Sequence, residues 1–154
     1  MAEEAQKPLT ELLAPSSIRL DASAADRDDA IRQAGAALLD AGAVDPAYVD
    51  AMLERENSVS TYVGEGVAIP HGTLAGKDLV EDDAIVVLRF PDGVDWDGNA
   101  VTVVVGIAAR GNGHIALLSQ LATILLDPDK AAALRAAEQP EQVYDLLAIT
   151  DEDD

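Results

Sequence analysis

Cysteine is absent from the 154 residues of this chain. The absence excludes a thiol nucleophile, a disulfide framework and a zinc site with cysteine ligands. No apolar run approaches the roughly 20 residues of a membrane span, and the N-terminal stretch MAEEAQKPLTELL lacks the basic start and apolar core of a secretion signal. These features predict a soluble, cytoplasmic protein that does not insert into membranes.

Basic residues are also scarce. Lysine and arginine together number 10 against 29 acidic residues, which gives a net charge of −19. Nucleic acids and anionic membranes bind cationic faces, so neither is expected as a partner. The charge favours either a basic protein partner or a strongly solvated acidic surface.

Several motifs of common enzyme classes are missing. The sequence has no GxSxG elbow of a serine hydrolase, no GxxxxGK[ST] nucleotide loop and no HExxH metal-binding helix. We therefore expect no cofactor and no metal, and any phosphoryl group must come from another protein or a small molecule. A metal site built from the two histidines and nearby carboxylates remains the alternative.

What is present is a hydrophobic fraction of 49%, enough for a core. Apolar residues at helical spacing predict helices over Ala25–Ala41 (with Ile31, Ala34, Leu38 and Ala41 on one face) and over His114–Leu126. A cap at Asp45 followed by Pro46 predicts a helix to about Glu56, and two short helices are expected after Asp127-Pro128 and Gln139-Pro140. β-branched runs predict strands at Ile18–Leu20, Val67–Ile69, Ala84–Phe90 and Val101–Ala108, with turns at Pro91–Gly93 and Asp97–Asn99.

The two long β segments do not alternate between apolar and polar residues, so both are expected to be buried on two faces. Strands mixed with helices in this way predict an α/β fold, a sheet covered by helices. We expect a single domain over residues 9–149, preceded by a flexible tail (1–8) and followed by an acidic tail (150–154) whose like charges repel.

The chain has only two histidines. His71 follows a short strand and Pro70, which ends the strand pairing, so it is expected beside a loop at a strand end, where sites of α/β proteins lie. A neutral imidazole there can act as a nucleophile. His114 falls at the start of a helix, whose free N–H groups attract phosphate. From the residues alone, either histidine can equally be an ordinary structural residue.

Arg55 ends the second predicted helix. Its planar guanidinium matches the oxygens of a phosphoryl group. The other interpretation is a cation that interacts with the helix dipole at the C-terminus.

These residues together resemble the active-site signature of enzyme IIA domains of the mannitol/fructose class of the phosphotransferase system. The resemblance rests on RE at Arg55, on TYVGEG at 61–66, and on AIPHG at 68–72. A second landmark, GIAAR at 106–110 followed by His114 and a leucine-rich helix, occurs in the same order. The resemblance covers about Leu12 to Leu147 and implies a mixed sheet flanked by helices on both faces.

The resemblance also implies a mechanism. The carrier protein HPr donates a phosphoryl group to His71, which passes it to a cysteine of an enzyme IIB partner that works with a membrane IIC component. Arg55 is implied to neutralise phosphoryl oxygens, His114 to donate a hydrogen bond to the transferring group, and Glu65 to orient an imidazole or tune its proton affinity.

The subtype is indicated by Glu65 after Gly64, which is more typical of mannitol members than the Gly-Asn of fructose and nitrogen-regulatory members. Asn57, Ser60 and Gly113 depart from the mannitol pattern. A regulatory, nitrogen-type module that acts by binding other proteins is therefore kept as the alternative function.

Overall fold

The computed structural model describes residues 13, 17–58, 60–72, 79–108, 119, 121 and 123–152. In chain order the elements are β1 (Ile18–Arg19), α1 (Arg27–Asp40), α2 (Tyr48–Ser58), β2 (Tyr62–Gly64), β3 (Val67–Ala68), β4 (Ala84–Trp96), β5 (Asn99–Ala108), α3 (Pro128–Arg135) and α4 (Pro140–Glu152). Residues 119, 121 and 123–125 are helical as well, as predicted. Residues 114–118 of that predicted helix lie outside the described part.

Among the described residues, five strands form one mixed sheet in the order β1-β4-β5-β3-β2. The β1–β4 and β3–β5 pairs are parallel, whereas β4–β5 and β2–β3 are antiparallel. The long β4–β5 hairpin occupies the centre, and the shorter strands extend the sheet on either side. The mixed sheet confirms the predicted α/β fold.

Both faces of the sheet are covered. Ile85 and Val87 of β4 belong to a buried cluster with residues from the C-terminal part of the chain, among them Leu121, Ile124, Leu134 and Val143. Val86 and Leu88 belong to a second cluster, with residues of α1 and α2 that include Ile31, Leu38 and Met52. Successive side chains of a strand alternate between faces, and here both faces are apolar. This confirms the predicted burial on two faces and the helices on both sides.

Helix α1 matches its prediction closely. Asp26 caps it, with a side-chain oxygen that accepts the N–H of Asp29 at 2.8 Å. Ile31, Ala34 and Leu38 are fully buried, as the helical spacing predicts. Ala41 was predicted on the same face but is exposed, because the helix ends at Asp40 and Ala41 is its C-cap.

Helix α2 is capped by Asp45, whose carboxylate accepts the N–H of Ala47 at 3.0 Å. The first hydrogen bonds span three residues, from Tyr48 N–H to the Asp45 carbonyl and from Val49 N–H to the Pro46 carbonyl. Regular α-helix therefore begins only at Tyr48. The helix then continues two residues beyond the predicted end at Glu56.

The turn predicted at Pro91–Gly93 is wrong. Strand β4 runs through these residues. Arg89 pairs with Val103 and Val94 with Val101, so β4 carries three extra residues there in an enlarged bulge. The reversal comes only at Asp97 and Gly98, with φ of 57° and 95°, as in a two-residue type I′ hairpin turn. One long hairpin therefore replaces two short strands.

The ends of the chain are only partly described. The predicted flexible tail, residues 1–8, lies outside the described residues. Helix α4 continues to Glu152, so its backbone extends into the predicted acidic tail 150–154. In the part of the chain that the structure describes, no helix is long and apolar enough to cross a membrane.

The net charge of −19 leads to a prediction about stability. Like charges on a compact surface repel, and the Debye length falls from about 10 Å at 0.1 M salt to about 3 Å at 1 M. We expect the free energy of unfolding in urea to rise by about 1 kcal/mol or more over this range of KCl. A triple variant at exposed positions, Asp50→Asn, Asp92→Asn and Asp145→Asn, should gain less. An equal gain in both proteins would contradict charge screening.

Candidate functional site

His71 lies just past β3, where it forms an isolated parallel bridge with Ile107 of β5. The residue is 7% exposed, and its Nδ1 is 2.9 Å from the carbonyl oxygen of Ile69. A carbonyl only accepts hydrogen bonds, so this contact assigns the proton to Nδ1 and leaves the lone pair on Nε2. The nitrogen able to act as a nucleophile is therefore Nε2.

Tyr48, the first residue of α2, fixes the backbone beside His71. Its buried hydroxyl accepts the N–H of Gly72 at 2.9 Å and donates to the Ile107 carbonyl at 3.0 Å. Burial raises the pKa of the Tyr48 phenol above its usual value, although the hydrogen bond from Gly72 opposes the shift. The hydroxyl therefore keeps its proton and remains a donor at neutral pH.

Glu56, near the end of α2, is 2% exposed and fixes the chain before the histidine. Its carboxylate accepts the Thr61 N–H at 2.8 Å, the Thr61 hydroxyl at 2.6 Å and the Trp96 indole N–H at 2.9 Å. The Thr61 carbonyl in turn accepts the N–H of Ile69 at 3.0 Å. A continuous set of hydrogen bonds thus runs from Trp96 to the residue whose carbonyl holds the His71 imidazole.

Arg55 lies in the last turn of α2, and its side chain is half-buried. Arg55 lies seven residues beyond Tyr48, which is about two turns of the helix. It is therefore on the same side of the helix within about 20°, and about 10 Å further along the axis. It also directly precedes the anchored Glu56. Helical spacing therefore puts the backbone of Arg55 on the side of α2 from which Tyr48 contacts Gly72.

Sequence reasoning did not single out Tyr48, and it used Glu56 only as the second residue of the RE motif, without a role. The available signal is helical spacing, because the buried residues of α2 are Tyr48, Ala51, Met52 and Glu56. A carboxylate on the apolar face of a helix is rarely buried without hydrogen-bond donors. The donors come from Thr61 and Trp96, and the contact with Trp96 depends on the whole β4–β5 hairpin.

This arrangement predicts that Glu56→Gln is destabilising. The amide oxygen can keep the Thr61 and Trp96 N–H groups, but its NH₂ group faces the Thr61 hydroxyl, which loses the acceptor for its own proton. We expect the free energy of unfolding to fall by about 1–2 kcal/mol. Urea unfolding measures the loss, and Glu54→Gln, at an exposed position of the same helix, is the matched control. Equal midpoints for the two variants would show that the network adds no stability.

Glu65 has its described contacts with Arg135 of α3. It lies in the turn of a β2–β3 hairpin that the sequence did not predict, where Glu65 and Gly66 have φ of 56° and 76°. Arg135 of α3 donates to the Glu65 carbonyl, and its Nη1 is 3.9 Å from the Glu65 carboxylate. These contacts place Glu65 beside Arg135, and its role toward an imidazole stays a prediction.

His114, the fourth predicted site residue, lies outside the described residues. The second landmark is described as far as Ala108, which ends β5. Among the residues that the structure describes, no group of three or more potential ligands is arranged to hold a metal ion.

The chemistry that this geometry supports is nucleophilic. A histidine with a fixed tautomer presents Nε2 beside a helix that carries an arginine, and two hydrogen-bonded anchors hold the helix against the histidine segment. An imidazole can accept and release a phosphoryl group, and a nearby guanidinium neutralises its oxygens.

Comparison with known proteins agrees with this chemistry. Residues 11–149 match the family described as phosphoenolpyruvate-dependent sugar phosphotransferase system, EIIA 2. The mannitol-specific phosphotransferase enzyme IIA component of Staphylococcus aureus is 41% identical over 140 residues, which cover 89% of this chain and 97% of that protein.

Two solved structures share the fold. A complex of enzyme IIAMTL and phosphorylated enzyme IIBMTL from Escherichia coli matches with a TM-score of 0.82 and 38% identity, over 89% of this chain and 99% of the matched chain. The nitrogen regulatory protein IIA-Ntr from Neisseria meningitidis matches with a TM-score of 0.78 and 28% identity, over 90% and 97%. The family match and the mannitol-specific relative together establish that this chain belongs to the EIIA 2 family of the phosphoenolpyruvate-dependent sugar phosphotransferase system.

Proposed function

We propose that this protein is a IIA phosphocarrier that accepts a phosphoryl group from phospho-HPr on Nε2 of His71 and passes it to a cysteine of an enzyme IIB partner. The observation that carries the proposal is the hydrogen bond between His71 Nδ1 and the Ile69 carbonyl. It fixes the tautomer in which Nε2 has a lone pair, which the first transfer requires.

In the first transfer, the Nε2 lone pair attacks the phosphorus of phospho-HPr. The N–P bond to HPr breaks as the new N–P bond forms, and the electron pair returns to the HPr imidazole. In the second transfer, a thiolate of IIB attacks the same phosphorus and His71 leaves as a neutral imidazole. The proton on Nδ1 balances the charge of the transient phosphohistidine.

Arg55 and His114 complete the proposed site. Arg55 neutralises the phosphoryl oxygens, whose charge must be held in place during transfer. His114 donates a hydrogen bond to the transferring group, as the family pattern implies. Glu65 is proposed to orient an imidazole or tune its proton affinity, and its contacts with Arg135 hold the β2–β3 turn in which it lies.

The sugar is proposed to be mannitol or a related polyol, because the Staphylococcus aureus relative is described as mannitol-specific. A IIA protein carries only the phosphoryl group, so the sugar is selected by the IIB partner and the membrane IIC component. The carrier domain is proposed to span residues 9–149 and to act in the cytoplasm, where HPr is charged.

A regulatory, nitrogen-type role is the alternative. It is less supported, because identity to the nitrogen regulatory protein is 28%, against 41% to the mannitol-specific relative.

The proposal is tested by reconstitution. The protein is incubated with enzyme I, HPr and phosphoenolpyruvate, and intact mass is measured before and after acid treatment. We expect one acid-labile phosphoryl group per chain, which then moves to a purified mannitol-type IIB protein. A chain that is phosphorylated but never donates to IIB would favour the regulatory alternative, and a chain that takes no label would refute the proposal.

A further inference from the structure

The Tyr48 hydroxyl links helix α2 to two backbone segments beside His71, at Gly72 and at Ile107 of β5. Tyr48 is 4% exposed, and its hydroxyl bridges the N–H of Gly72 and the carbonyl of Ile107. The N–H of Ile107 donates to the Pro70 carbonyl at 3.1 Å. The residues immediately before and after His71 are therefore both tied to Ile107, one directly and the other through the Tyr48 hydroxyl.

The ring of Tyr48 has a separate part in this arrangement. A Cβ atom at Gly72 would lie 2.5 Å from Tyr48 Cε1 and 2.8 Å from Cζ, far inside normal contact distance. The backbone at Gly72 thus lies directly on the ring. The ring sets how closely the segment approaches α2, and the hydroxyl sets its hydrogen bonding.

These contacts determine how the imidazole is held. The bond from His71 Nδ1 to the Ile69 carbonyl requires the backbone of 69–72 to keep one conformation. Thr61 fixes this segment at the Ile69 N–H, and the Tyr48 hydroxyl fixes it at Gly72. Without the hydroxyl, the C-terminal side of His71 loses its hydrogen bond to α2.

We propose that Tyr48 is a positioning residue for phosphoryl transfer: its hydroxyl holds the His71 backbone so that Nδ1 stays bonded to Ile69 and Nε2 faces the phosphoryl donor. The inference rests on the proposed function, because it concerns the same transfer. Tyr48 does not contact the phosphoryl group. It acts through the backbone on the orientation and tautomer of the imidazole.

The test is Tyr48→Phe, which keeps the ring against Gly72 and removes only the hydroxyl. The matched control is Tyr144→Phe, whose hydroxyl donates to the Leu13 carbonyl on the opposite face of the sheet. We expect the maximal rate of transfer from phospho-HPr to fall about tenfold or more in Tyr48→Phe, since small misplacement of a reacting group costs rate. The KM for phospho-HPr should not change, and Tyr144→Phe should match the wild type.

Nitrogen NMR of the His71 ring gives a readout that a loss of stability alone would not move. The wild type should show protonated Nδ1 and unprotonated Nε2, and Tyr48→Phe should show a larger fraction of the Nε2–H tautomer. Spectra are recorded where circular dichroism shows each variant to be folded. Gly72→Ala, which pushes the ring away, should shift the tautomers in the same direction.

The outcomes separate the two claims. A wild-type rate and tautomer ratio in Tyr48→Phe overturn the positioning role and leave the proposed function intact. Equal slowing in Tyr48→Phe and Tyr144→Phe also overturns it, because the effect would then be general. Failure of the wild type to accept a phosphoryl group overturns the proposed function itself.

Discussion

His71→Ala is expected to abolish phosphoryl uptake from phospho-HPr. The side chain supplies the only atom that bonds to phosphorus in the proposed mechanism. Among the described residues, no other group combines this hydrogen-bonded tautomer with a position at a strand end. Replacing a nucleophile that forms a covalent intermediate removes the reaction path itself rather than a fraction of its rate. We expect label at background level in intact mass after incubation with enzyme I, HPr and phosphoenolpyruvate.

The control for this variant is His114→Ala, which removes the other histidine. It should still accept a phosphoryl group, but more slowly, because it loses a hydrogen-bond donor and keeps the nucleophile. Circular dichroism should show that both variants fold. Labelling of His71→Ala at the wild-type rate would mean that the phosphoryl group is carried elsewhere.

Arg55→Ala is expected to lower the transfer rate about a hundredfold while the protein remains folded. Helical spacing puts Arg55 on the same side of α2 as Tyr48, which contacts Gly72, and phosphoryl transfer depends on cationic groups that hold the charged oxygens. Arg55→Lys should recover only part of the rate, because lysine keeps the charge but not the planar pair of donors. Rates of transfer from phospho-HPr measure both effects.

Arg32→Ala is the matched control, because it removes one positive charge at an exposed position of α1. It should transfer at the wild-type rate, which separates a local effect of Arg55 from the change in net charge. A normal rate in Arg55→Ala would remove this residue from the mechanism.

Much of the fold could be predicted from local pattern. The long strands β4 and β5 are rich in β-branched residues, and α1 has a capping aspartate and buried residues at helical spacing. Both signals depend on neighbours in sequence. The bulge at Pro91–Gly93 was mistaken for a turn because proline and glycine favour both structures, and only the register with β5 distinguishes them.

Strand β2 was missed for a related reason. It has only three residues, Tyr62–Gly64, and ends in a glycine, so it carries no pattern of its own. Its pairing with β3 places Glu65 in the hairpin turn, beside Arg135. This contact depends on the fold and has no signal in the local sequence.

The site residues that belong to a sequence motif could be predicted. The roles that depend on tertiary contacts could not. His71 and Arg55 stand in a recognisable pattern, and His71 lies at a strand end as expected. Tyr48 is an ordinary residue of a helix until the fold brings it to Gly72, and Glu56 belongs to the RE motif but gains its role only where the fold brings it to Thr61. Their burial depends on the sheet, which no local signal describes.

The identity of the phosphorylated atom tests the proposed mechanism at its centre. The wild-type protein, with isotope-labelled histidine, is phosphorylated through enzyme I and HPr, and coupling between phosphorus and the ring nitrogens is measured by NMR. We expect coupling to Nε2 of His71, with Nδ1 still protonated and bonded to the Ile69 carbonyl. A phosphoryl group on Nδ1 of His71, or on His114, would show that the mechanism is wrong.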